Sequence, residues 1–176
     1  MQRGRPEPGR NTSYASALQR LARRDHSESE IRGALARDGY SEHQIEEAVR
    51  RLRSARYLDD AGFAERFARS RSRNLGQGSR RIRAALASKG VGREAAETGL
   101  REALDEVSEG ATLDETARRY WRQKTAEDPR RRLRKLWGFL LRRGFSADLV
   151  AERLQALWPR WKDVLSEMAE GETGEA

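Results

Sequence analysis

Three glycines, Gly39, Gly90 and Gly144, lie 51 and 54 residues apart, each at the same point of the same hydrophobic frame. Eight residues before them stand Ile31, Ile82 and Leu136, and four before them Leu35, Leu86 and Leu140, the spacing of one helical face. Six, ten and thirteen residues after them the frame resumes, as Ile45, Val49 and Leu52, as Ala96, Leu100 and Ala103, and as Val150, Leu154 and Leu157. A helix ends cheaply on a residue that can take positive φ, and glycine does so without a Cβ clash. Each copy is therefore predicted to be helix, glycine turn, helix. Tyr40, Val91 and Phe145 follow the glycines, placed to pack back on the first helix and forward onto the second. Ser41 and Ser146 are natural N-caps, and Ser41 with Gln44 makes a capping box; Gly92 and small Ala96 predict a looser turn in the middle copy.

A further helix precedes each pair. Tyr14 to Arg24 carries Leu18 and Leu21, Asp59 or Asp60 can cap a helix carrying Phe63 and Phe67, and Thr112 with Glu115 reads as a capping box before Ala117, Tyr120 and Trp121. The second helices are expected to start at Ser27 with Glu30, near Gly78-Ser79, and at Asp128-Pro129. No segment alternates like a strand. The expectation is an all-α fold of three tandem three-helix repeats in an elongated, curved array, because a single unit of that size buries too little surface to stand alone. Repeats are expected at 14–57, 58–108 and 109–160, between a disordered basic tail at 1–13 and an acidic one at 161–176.

Composition excludes several functions. The chain has no cysteine, hence no disulfide, thiol nucleophile or thiolate metal site, which fits a reducing, cytoplasmic setting. No apolar stretch approaches membrane-spanning length. There is no phosphate-binding P-loop or HExxH motif, and His26 and His43, the only histidines, have no catalytic partners. Gly76-Gln77-Gly78 follows no strand and reads as a flexible inter-helix turn; Asp59-Asp60 read as helix caps, not as a catalytic pair. Neither catalysis, nor a metal, nor a cofactor is expected.

Net charge is +8, and it is unevenly spread. Pro129 to Lys162 holds ten positive and two negative residues, Asp59 to Arg83 seven and three, and Glu94 to Glu115 one and eight. Such blocks suit a patterned partner, a phosphate backbone or an acidic protein face, although arginine outnumbers lysine 32 to 4 and helical charges also serve simply as solvated faces. All four tryptophans lie beside the last basic block. Trp121 and Trp137 fall on apolar faces and are expected in the core; Trp158 and Trp161, flanking Pro159, are the better candidates for exposure and base stacking.

Specific motifs add a resemblance. Tyr57-Leu58-Asp59-Asp60 followed by Phe63-Ala64 and Phe67, then Gly76, Gly78, Arg81, Ile82, Leu86, Lys89 and Gly90, then Phe139 to Phe145 (FLLRRGF), are similar to the signatures of the RecX family of RecA regulators. The likeness runs from Leu18 to about Leu157, with small Ala95 and Ala96 where the family has larger apolar residues. It implies tandem three-helix repeats lying along a RecA filament on single-stranded DNA and restraining ATPase, strand exchange and coprotease activity, with no enzyme activity of their own. Candidate filament contacts are Arg69, Arg71, Arg73, Arg80, Arg81, Arg130, Arg131, Arg132, Arg134, Arg142 and Arg143; structural roles are expected for Tyr57, Leu58, Asp59, Asp60, Phe63, Phe67 and the three turn glycines. A monomer with no membrane partner is expected. The alternative is a basic helical protein that binds nucleic acid without RecA.

Overall fold

The computed structural model describes residues 12–106, 108–123 and 128–158, and among these there are nine helices and no strand. They run α1 (Ser13–Leu21), α2 (Glu28–Arg37), α3 (Glu42–Ser54), α4 (Asp60–Leu75), α5 (Ser79–Ser88), α6 (Arg93–Glu106), α7 (Glu109–Gln123), α8 (Pro129–Arg143) and α9 (Ala147–Leu157). The protein is thus all-α, three helices to a repeat. Thr12 caps α1, and it belongs to the stretch expected as tail; the rest of that tail, Trp161 and the acidic segment lie outside the described residues.

The glycine turns form as their chemistry requires. Gly39, Gly90 and Gly144 take φ of 90°, 71° and 94°. Each makes the paired bonds of a Schellman turn: Tyr40 N–H donates to Leu35 C=O, Val91 to Leu86 and Phe145 to Leu140, while the glycine N–H groups donate to Ala36, Ala87 and Leu141. The hydrophobic frame is buried at every position except Leu157, which is half-buried. A buried Leu or Ile contributes roughly 1.5–3 kcal/mol, against about 1 kcal/mol for a cap, so this frame and not the turns supplies most of the stability.

Two compact units result, and the boundary runs through the middle repeat. The first comprises the chain up to Phe67 together with Ala85–Arg101, the second Ala68–Ala84 together with everything from Glu102. The first packs Ile31, Leu35, Ile45, Val49, Leu52 and Leu58 around Ala17 and Ala48. Its small residues have a use: a Cβ at Gly99 would lie 2.5 Å from Ala61 O and Glu65 N, so α6 presses against the backbone of α4. The second packs Leu113, Leu133, Leu136, Leu140, Phe145, Val150 and Leu154.

Three local expectations are corrected. α7 opens at Ser108, whose C=O already accepts from Thr112 N–H, so Thr112 is no cap but a buried residue whose hydroxyl pairs with Ser72 at 3.0 Å. Gly76-Gln77-Gly78 is an inter-helix turn but a fixed one: all three residues are buried and their N–H groups donate to Ser72, Arg71 and Arg143 carbonyls. Trp158 is half-buried, its ring 5.0 Å from that of Trp121, with both packed on the second core as Trp137 is.

Candidate functional site

One joint recurs in both units: the start of a repeat's second helix is seated on the glycine turn of the next repeat. In the first unit Ser27 caps α2, accepting from Glu30 N–H, and its hydroxyl donates to Lys89 C=O at 2.6 Å, while Gly90 lies against Ser29. In the second, Gly78 N–H donates to Arg143 C=O at 2.9 Å and Arg80 N–H to Gly144 C=O at 3.1 Å, with Gly144 against Arg81. Each joint also borrows a carboxylate from the next repeat's first helix. Glu28 N–H donates to Asp60 at 2.9 Å, and Ser79 N–H to Glu109 at 2.7 Å. The aspartate pair therefore splits: Asp59 caps α4, accepting from Ala61 and Gly62 N–H, whereas Asp60 caps α2. Burial pushes the Asp60 carboxyl up, against the pull of its hydrogen bond from Glu28 N–H.

Electrostatics separates the two joints. At the first, Glu30 takes Lys89 Nζ at 2.8 Å and Arg24 at 3.3 Å, and Glu28 takes Arg32 at 2.9 Å and Arg53. Burial works to raise the Glu30 carboxyl, but the Lys89, Arg24 and Ser27 hydrogen bonds hold it down at about 2. Acids near the first turn of α2 also suit the positive end of its dipole. At the second joint, Arg80 and Arg81 occupy the first turn of α5, which has no acid. Arg81 donates to Arg142 C=O at 2.9 Å, and Arg143 reaches the Leu75 carbonyl at the end of α4. Burial, then the Arg119 and Arg81 charges, push the Arg143 guanidinium down.

All eleven candidate arginines fall in the second unit. Arg80, Arg81, Arg142 and Arg143 converge on this joint, with Arg73 on the neighbouring end of α4. Arg130, Arg131 and Arg134 are exposed near the start of α8, roughly 14–20 Å from Arg143 at 1.5 Å per residue. Arg69 and Arg71 are half-buried. Arg132 is 7% exposed, its guanidinium 3.7 Å over the Trp121 ring, and so serves the fold. Arg153 and Asp114 pair with one another across α9 and α7, so part of the basic and acidic blocks cancels internally. The expectation missed Arg119, whose Nη2 lies 3.1 Å from where a Gly76 Cβ would stand; only tertiary packing brings it to the cluster.

The motif around Asp59 is structural at Leu58 and Phe63, both buried, but Tyr57 is 57% exposed and is held through its backbone, N–H to Leu52 C=O at 2.8 Å, after Arg56 in the left-handed region. Among the described residues no three His, Cys, Asp or Glu gather as a metal site, and no helix is long and apolar enough to cross a membrane.

Family models for the first, second and third three-helix domains of RecX match residues 14–52, 59–100 and 109–154. The chain belongs to the RecX family. It is 35% identical over 136 residues to regulatory protein RecX of Mycobacterium leprae (strain Br4923), covering 77% of this chain and 79% of that one. It is 36% identical over 141 residues to regulatory protein RecX of Prosthecochloris aestuarii, covering 80% and 90%. The crystal structure of RecX from Lactobacillus salivarius shares the fold at a TM-score of 0.72 and 23% identity, over 82% of this chain and 94% of that one. Membership makes the chain a regulatory protein, and the RecX domains coincide with the three helix triplets built on the glycine turns.

Proposed function

We propose that this chain binds the RecA filament on single-stranded DNA and restrains its ATPase, strand exchange and coprotease activities, and so tempers recombinational repair and the SOS response. The observation that carries the reading is the second joint, where Arg80 and Arg81 sit against the dipole of their own helix beside Arg142 and Arg143. Charge placed at a cost to the fold is charge with a use elsewhere. A phosphate backbone or an acidic protein face along a filament would add negative charge to the Glu109 carboxylate already on the α5 start, and Arg130, Arg131 and Arg134 would add a second contact by avidity.

Sub-stoichiometric protein at low salt is expected to slow DNA-dependent ATP hydrolysis by RecA, with inhibition fading as salt rises. An unchanged rate would sink the reading. Charge reversal at Arg130, Arg131 and Arg134, scored on filament and on naked DNA together, separates it from RecA-independent nucleic-acid binding. The filament reading expects the larger loss on the filament.

A further inference from the structure

The turn that ends α3 in the first unit closes as the glycine turns do, but without a glycine. Arg56 N–H donates to Arg53 C=O at 2.9 Å and Tyr57 N–H to Leu52 C=O at 2.8 Å, with Arg56 at φ +57°. Every other left-handed residue among those described is a glycine: Gly39, Gly76, Gly90 and Gly144. Glycine would relieve the strain that a Cβ incurs there, and strain held in place by its surroundings marks a side chain kept for function. The α3 dipole does not require Arg56. Arg51 in the last turn, charged over the Tyr14 ring, already meets the roughly half negative charge of the helix end.

Tyr57 is the next residue. It is 57% exposed, and among the described residues its ring meets no other ring and no cation. Its backbone is nonetheless fixed: Leu58 N–H shares the Leu52 carbonyl at 3.3 Å, and the Leu58 side chain is buried. A ring presented from a fixed base loses little further freedom when it binds. The Arg56 guanidinium is exposed too, and the charges nearest along the chain are engaged elsewhere, Arg53 with Glu28 and Asp59 with the Ala61 and Gly62 N–H groups. An aromatic anchor for a protein sits in an apolar setting, whereas the exposed neighbours here are Arg53, Ser54, Ala55, Arg56 and Asp59. A ring and a guanidinium on consecutive residues instead match one nucleotide, a base face for the ring and a phosphate for the fork. We propose that Arg56 and Tyr57 form a single-strand contact, Tyr57 stacking on a nucleobase and Arg56 holding an adjacent phosphate. The contact is indifferent to base identity, because every base has a π-face. It shares no residue with the arginines of the second joint and is tested on naked strands, so its failure leaves the filament reading standing.

The full chain is titrated into a short fluorescent oligothymidylate at low salt, without RecA, and binding is read by anisotropy. Tyr57→Ala should weaken binding roughly tenfold, the loss of one stacked base, and Tyr57→Phe should retain it. On an abasic strand of equal length the parent and Tyr57→Ala should bind alike. Arg56→Gly should weaken binding to the oligothymidylate about threefold and lower its salt slope by about 0.7, while raising the urea midpoint of the protein. Misfolding cannot produce that combination. No binding to the naked strand, a Tyr57→Ala protein that binds like the parent, or an equal loss on the abasic strand overturns the proposal. If Tyr57→Ala leaves naked-strand binding intact and relieves only the inhibition of RecA ATP hydrolysis, the ring docks on protein and the proposal fails.

Discussion

The two joints share a backbone plan and differ in charge. In the first unit, the α2 start offers Ser27, Glu28 and Glu30 to the Gly90 turn, and cations from four directions, Lys89, Arg24, Arg32 and Arg53, neutralise the two acids. In the second, Gly78, Ser79 and Arg81 stand in the corresponding places, and Arg142, Arg143 and Arg119 add charge of the same sign. Backbone bonds to carbonyls hold the second joint together where ion pairs help hold the first. The difference separates a joint whose acids are met by cations from one that gathers arginines of α5 and α8, with the Glu109 carboxylate on its helix start, an arrangement suited to a binding surface.

The largest test bears on what is common to both. Alanine at each turn glycine incurs the left-handed penalty of roughly 1–2 kcal/mol, but the surroundings differ. A Cβ at Gly144 would lie 2.4 Å from both the backbone N and the Cβ of Arg81, one at Gly90 2.2 Å from Ser29 Oγ, and one at Gly39 would meet nothing within 4 Å. Urea unfolding should rank the losses Gly144→Ala, Gly90→Ala, Gly39→Ala, from about 3 kcal/mol or more down to about 1. Equal losses would mean that the turns do not bear on neighbouring repeats.

Removing the Ser27 hydroxyl should cost about 1–2 kcal/mol, since one oxygen both caps α2 and satisfies Lys89 C=O. Acid should then distinguish the units. Glu30 titrates at about 2 in place of its ordinary 4.5, so between those values the unfolded chain binds more protons and stability falls as pH falls, the contribution being gone below about 2. Glu30→Gln is expected to flatten that slope in acid-unfolding curves. The smallest effect has the opposite sign. Arg80→Glu puts an acid in the first turn of α5 and should stabilise by about 0.3–1 kcal/mol at low salt while weakening RecA inhibition; loss of both would break the contrast between the joints.

How much was legible in advance depended on the range of the interaction. Capping of α2, α3, α8 and α9 by Ser27, Ser41, Asp128 and Ser146 was readable because a cap bonds within three residues. Thr112 failed as a cap because α7 already opens at Ser108, leaving the Thr112 hydroxyl inside the helix to pair with distant Ser72, a partner no local rule supplies. Asp60 looked like a local cap and serves a helix 32 residues away. At the candidate site, the charge blocks marked the second unit, yet nothing along the chain distinguished Arg132, laid over Trp121, from its exposed neighbours, or brought Arg119 to Gly76.

Periodicity and glycine spacing determined the paired helices of each repeat, their turns and the frame of the core, because a helical face and a left-handed C′ position are properties of a few consecutive residues. Tertiary structure decided which arginines pair with distant acids, as Arg153 does with Asp114, and which gather at one joint, as Arg80, Arg81, Arg142 and Arg143 do. Coulomb interactions depend on distance in space, and distance in space is set only when one repeat's turn is seated on another's helix.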